Sequence, residues 1–137
     1  MKKHFVNVFT EYRSSRITNE YIKETLLKSG DTICDYVIVD NSLDEENYNQ
    51  LTTYYTEKYE TFTFDGKEIR KVELYFECRN TTVLFVKNDE NSGYGSGANL
   101  AMKVALEYLN PDYLIISNND MVCLEKNIAL DKVIQVF

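Results

Sequence analysis

The chain has 137 residues, 44% of them apolar and 27% charged, which is enough for one domain with a sizeable core and too few for two. A formal charge of −7 argues against nucleic acid or an anionic membrane surface as the main partner, and no apolar stretch approaches the roughly 20 residues that span a bilayer. The cysteines Cys34, Cys78 and Cys123 are widely spaced and His4 is the single histidine, so a zinc site of the usual ligand spacing is excluded. The cysteines read as reduced thiols in or near the core of a cytoplasmic protein, since the N-terminus lacks the apolar run of a signal peptide.

Phe5 to Thr10 alternates and is rich in β-formers, which predicts a first strand. Ser14 and Ser15 then offer caps for a helix carrying Ile17, Tyr21, Ile22, Leu26 and Leu27, stopped by Lys28-Ser29-Gly30. Tyr36-Val37-Ile38-Val39 is a short apolar run that ends in Asp40-Asn41-Ser42, as a strand buried on both faces would. Residues 44 to 59 start acidic and place Leu51, Tyr54, Tyr55 and Tyr59 in helical register, predicting a second helix. Around Asp65-Gly66 the flanking runs predict a β-hairpin inserted at about 60–78, an excursion from the main sheet.

Thr82 to Val86 reads as another buried strand and leads into the glycine-rich stretch Gly93 to Gly97. In the helix that follows, Ala101, Val104, Ala105 and Tyr108 form an apolar stripe, and Asn110-Pro111 ends it. Tyr113 to Ile116 is a fourth buried strand, followed by Ser117-Asn118-Asn119-Asp120. Leu130, Val133, Ile134 and Phe137 repeat the helical spacing to the last residue. The alternation predicts an α/β fold with a mainly parallel sheet and helices on both faces. The closing stripe expects a further strand, so residues 1–137 read as a single truncated domain that would recruit a second copy as a homodimer.

Ligands of open α/β sheets gather beyond the C-terminal strand ends, and polar residues follow all four buried runs here. Asp40, beside Asn41, suits a ribose hydroxyl or a base N–H, and equally suits a turn or a helix N-cap. The ring of Tyr12 can lie against a nucleobase or simply pack. Gly93 to Gly97 is neither a dinucleotide fingerprint nor a P-loop, and its glycines permit tight turns and close backbone approach, or serve a plain connection. Asn118 and Asp120 offer hard oxygens for Mg²⁺ or Mn²⁺, although the same three residues also make an ordinary turn.

Taken in order, four segments resemble the inverting glycosyltransferases of family 2: Phe9 to Arg13, Tyr36 to Ser42, Asn91 to Ala101, and Tyr113 to Asp120. The resemblance spans nearly the whole chain and implies a GT-A fold, here its Rossmann-like nucleotide-binding half. It implies that Thr10, Tyr12 and Asp40, with Asn41, hold the base and ribose of a nucleoside diphosphate sugar, UDP- or dTDP-linked. Gly93, Gly97 and Asn99 match the loop beside the nucleotide, and Asp120 with Asn118 matches the DxD-like metal position for Mn²⁺ or Mg²⁺. The chain departs from the family in Arg13, in Glu11 beside a phosphate ligand, in Asn118 for the first aspartate, and in the hairpin. The family's catalytic base lies further downstream, so no catalytic residue is assigned. The implied protein transfers a sugar to an acceptor in glycan biosynthesis, in the cytoplasm or at a membrane's inner face through that acceptor, and this portion binds the donor. The alternative is a non-catalytic nucleotide-binding or regulatory module of the same fold.

Overall fold

The computed structural model describes residues 3–30, 32–90 and 93–119. The chain runs β1 (His4–Glu11), α1 (Ser15–Leu27), β2 (Ile33–Asp40), α2 (Glu45–Thr52), β3 (Glu60–Phe64), β4 (Lys67–Phe76), β5 (Arg79–Lys87), α3 (Tyr94–Tyr108) and β6 (Tyr113–Ile116). The six strands form one sheet in the order β3-β4-β5-β2-β1-β6. The runs expected to be neighbours are neighbours: β5, β2, β1 and β6 pair in parallel. The closing stripe from Leu130 to Phe137 lies outside the described residues, as do Asp120 and Cys123.

The sheet is mixed, which corrects the expectation of a mainly parallel one. β3 and β4 are antiparallel to each other and β4 is antiparallel to β5. The hairpin is therefore no excursion: it extends the main sheet. The cause is a second tight turn at Glu77-Cys78, where both residues take positive φ (49° and 66°) and fold β4 directly back onto β5. The anticipated turn is there too, with φ of 50° at Asp65 and 77° at Gly66. Cys78, expected near the core, is exposed at the new turn, whereas Cys34 is buried.

Side-chain size sorts the two faces of the sheet. Phe5, Phe9, Tyr36, Ile38 and Phe85 face α1 and α2, where they meet Tyr21, Ile22, Tyr48 and Leu51. Val6, Val8, Val37 and Val39 face α3, which answers with Ala101, Val104 and Ala105. Small residues on both sides let α3 lie close to the strands, and this closeness brings its first turn down onto the strand ends.

α2 is shorter than its tyrosine spacing suggested. Asp44 starts it, accepting from the N–H groups of Glu46 (3.0 Å) and Asn47 (3.4 Å), with Glu45 and Glu46 favouring the positive end of the helix. It stops at Thr52, where the Thr53 hydroxyl bonds back to the Asn49 carbonyl at 2.6 Å. The tyrosines beyond have other contacts: the Tyr55 hydroxyl donates to the Asn19 carbonyl (3.0 Å). The Arg70 guanidinium sits over the rings of both Tyr48 and Tyr59, 4.7 and 4.6 Å from their centroids. Arg70 thereby fastens the α2–β3 segment to the sheet. Among the described residues, no helix is long and apolar enough to cross a membrane.

Candidate functional site

The C-terminal ends of β1, β2, β5 and β6 open on one rim, and the polar residues that follow them are bonded to one another. At the centre is Glu11, the last residue of β1, which is 1% exposed. One carboxylate oxygen accepts the Ser14 hydroxyl at 2.9 Å together with the Ser14 N–H. The other accepts the side-chain amide of Asn47 at 2.8 Å. That same amide donates to Asp40 at 3.1 Å and to the Ser42 hydroxyl at 3.1 Å. Asn119, after β6, donates to the hydroxyls of Ser14 (2.8 Å) and Thr18 (2.9 Å). Glu11 thus links the loops that follow β1, β2 and β6.

Burial raises the Glu11 carboxyl from its ordinary 4.5 to about 7, with the neighbouring Asp40 charge adding to the effect. The bonds from Ser14 and Asn47 oppose it without cancelling it. Hidden from water and in register with Asp40, Glu11 holds its proton to a higher pH than an exposed carboxyl.

Asp40 is 3% exposed, and both of its oxygens are engaged within the chain, one by Asn47 and the other by the Ser42 N–H at 2.9 Å. The latter contact spans two residues and shapes the loop after β2. Asp44, and not Asp40, caps α2. Asn41 is also buried: its oxygen accepts from Asn88 after β5 (2.7 Å), and its amide donates to the Gly93 carbonyl (3.5 Å). The loop after β1 is held from the other side, where the Arg13 N–H donates to the Ser42 hydroxyl at 2.7 Å while Arg13 takes φ 50°.

Gly97 explains the glycine-rich stretch. A Cβ placed there would lie 2.3 Å from the Thr10 methyl and 3.0 Å from the Asn41 amide, so only glycine lets α3 rest on the ends of β1 and β2. Gly93 begins α3 with φ 90° and, among the described residues, no side-chain cap.

The structure brings Thr10, Asp40, Asn41, Gly93 and Gly97 together, with Tyr12 at the rim, 56% exposed and its ring against Arg13. Asn118 is exposed at the end of β6, and that end is fixed by a closed ring of bonds beneath it. Ser117 donates to Asn7 (2.5 Å), Asn7 to the Tyr21 hydroxyl (3.0 Å), and Tyr21 to Ser117 (3.0 Å). Asn99 stands apart, in a polar groove of about 300 Å³ that also holds Lys67, Asn88 and Lys103. Nothing local in the sequence marks Asn47 or Asn88, and Glu11 stands out there as one of the polar residues after the first strand and as an unusual acidic neighbour for phosphate. The available signal was Glu11's place at the end of the first strand.

No protein-family model, curated protein or solved structure matches the chain.

Proposed function

We propose that this chain is the donor-binding portion of a glycosyltransferase that takes a nucleoside diphosphate sugar, UDP- or dTDP-linked. The supporting observation is that α3 and the strand ends carrying Thr10, Asp40 and Asn41 are in contact through Gly97, in the first turn of α3. A nucleotide lying across that rim would have the exposed ring of Tyr12 for its base and the first-turn amides of α3 for its phosphates. In this reading the buried residues Asp40, Asn41 and Glu11 shape the floor, and Tyr12, Thr10 and Gly93 meet the ligand.

Asn118 supplies one hard amide oxygen at the exposed end of β6, a donor type suited to Mg²⁺ or Mn²⁺. With the Asp120 carboxylate and the diphosphate's own oxygens it would complete an oxygen-ligated cation, which would neutralise the diphosphate against a chain of charge −7. No residue of the chain is assigned as the base for sugar transfer.

Binding measured on two variants tests the assignment. Tyr12→Ala should weaken a nucleoside diphosphate about five- to fiftyfold, the loss expected from one stacking partner. Asp120→Asn should remove most of the dependence on Mn²⁺ while leaving the far-ultraviolet circular dichroism unchanged. Unaltered affinity in Tyr12→Ala would move the base elsewhere.

A further inference from the structure

α3 covers only part of its face of the sheet. It packs on β1 and β2, and its last residue, Tyr108, reaches β3, where its ring meets Phe62 and Phe64 edge-on at 4.8 and 5.9 Å. Past Tyr108 the same face of β3, β4 and β5 carries an open trough. Two adjoining hollows of about 220 and 460 Å³ form it, the larger of a size that small ligands occupy. Glu60 and Lys71, opposite one another in the register of β3 and β4, line both hollows. Tyr108 and Leu84 line the smaller, and Tyr59, Glu73 and Tyr75 the larger. All three tyrosines are exposed, Tyr75 to 73%. Tyr108 is held by the two phenylalanines, and Tyr59 by the Arg70 guanidinium 4.6 Å from its centroid. A ligand lying against these two rings therefore has little side-chain freedom to quench.

The charges of the trough decide between ligand classes. Lys58 and Lys71 stand against Glu60 and Glu73, so an anion or a cation would meet as many like charges as opposite ones. Glu73 is fixed, with Lys71 at 3.9 Å and the Thr82 hydroxyl donating to it at 3.0 Å. A ligand hydroxyl suits such a mixture, because it can donate to a carboxylate and accept from an ammonium group. A sugar ring combines such hydroxyls with C–H faces that lie against aromatic rings. We propose that the trough binds a neutral oligosaccharide, its faces against the tyrosine rings and its hydroxyls on Glu60, Lys71 and Glu73. Two hollows in succession suit a chain of sugar units better than a single one. The site goes beyond the donor-binding reading: Glu73 and Tyr75 lie beside Thr82 and Asn80 near the start of β5, whereas the rim lies at its end. In a protein that transfers sugars, such a trough would hold a glycan chain while the donor occupies the rim.

Saturation-transfer difference NMR on the full chain tests this, with cellohexaose, maltohexaose, laminarihexaose and chitohexaose as probes. At least one should show transfer onto its ring C–H protons, with an affinity in the millimolar range. Tyr75→Ala should weaken that binding about two- to tenfold, the worth of one aromatic contact, and Tyr75→Phe should retain it. Lys71→Ala should weaken it by a similar factor. Tyr75 is largely exposed, so its replacement should leave the far-ultraviolet circular dichroism unchanged. Adding UDP with Mn²⁺ should not displace the sugar, which keeps this test separate from that of the rim. No transfer to any of the four at about 10 mM sugar overturns the proposal. So does binding indifferent to both Tyr75→Ala and Lys71→Ala, and so does displacement by UDP, since either would put the sugar elsewhere.

Discussion

Glu11 and Asp40 occupy opposite positions in the parallel register of β1 and β2, and one amide, that of Asn47, donates to both, at 2.8 and 3.1 Å. The arrangement stores a dependence on pH. In the unfolded chain Glu11 titrates near its ordinary 4.5, and in the folded chain near 7. Below the lower value both states hold the proton and the site carries no penalty. Between the two values the unfolded chain gives up the proton that buried Glu11 keeps, so stability falls by about 3 kcal/mol as pH rises from 4.5 to 7 and then levels off. Glu11→Gln cannot ionise, so its stability should hold between pH 5 and 8 while that of the wild type declines. Urea unfolding across that range reads the difference. Parallel curves for the two proteins would mean that Glu11 is ionised throughout.

Asn47 should matter most where Glu11 is charged. Asn47→Ala removes the shared donor and leaves two buried acceptors facing each other, at a cost of about 2–4 kcal/mol at pH 8. At pH 5, where Glu11 holds a proton, the cost should be clearly smaller. A cost independent of pH would mean that Asn47 acts through packing alone.

Gly97→Ala places a methyl group 2.3 Å from the Thr10 methyl, too close for α3 to keep its seat. The variant should lose about 1–3 kcal/mol of stability. Thr10→Ser removes the opposing methyl and should return a good part of that loss in the double variant, a coupling that a double-mutant cycle measures. Additive effects would show that α3 relaxes away from the strand ends at little cost.

The four buried strands and their polar ends were legible in the sequence because short apolar runs closed by Asp, Asn and Ser have few other uses. The Asp65-Gly66 turn was legible for the same reason, since its residues suit positive φ. The turn at Glu77-Cys78 was not, because neither residue is a turn former, and without it the hairpin looked like an excursion. α2 looked longer than it is because the tyrosines at 54, 55 and 59 match helical spacing, while Tyr55 serves α1, Tyr59 serves Arg70 and Tyr54 packs on Tyr55. The linking role of Glu11 could not be read locally: it depends on Asn47, 36 residues away, and on Asn119 beyond β6. In sequence Asp40 suits a ligand contact, a turn or a helix cap; its bond from the Ser42 N–H is that of a turn, and Asp44 takes the cap.

The central claim is that the rim formed by the strand ends and the start of α3 receives a nucleoside diphosphate with a divalent cation. Calorimetric titration of the chain with UDP and with dTDP, in Mn²⁺ and again in EDTA, tests it most directly. The account predicts binding of at least one of the two in the micromolar range with Mn²⁺, weakened at least tenfold by EDTA. Equal affinity in both buffers would contradict the cation assignment and leave the phosphates to the α3 amides. No heat with either nucleotide at millimolar concentration would contradict the donor-binding reading itself.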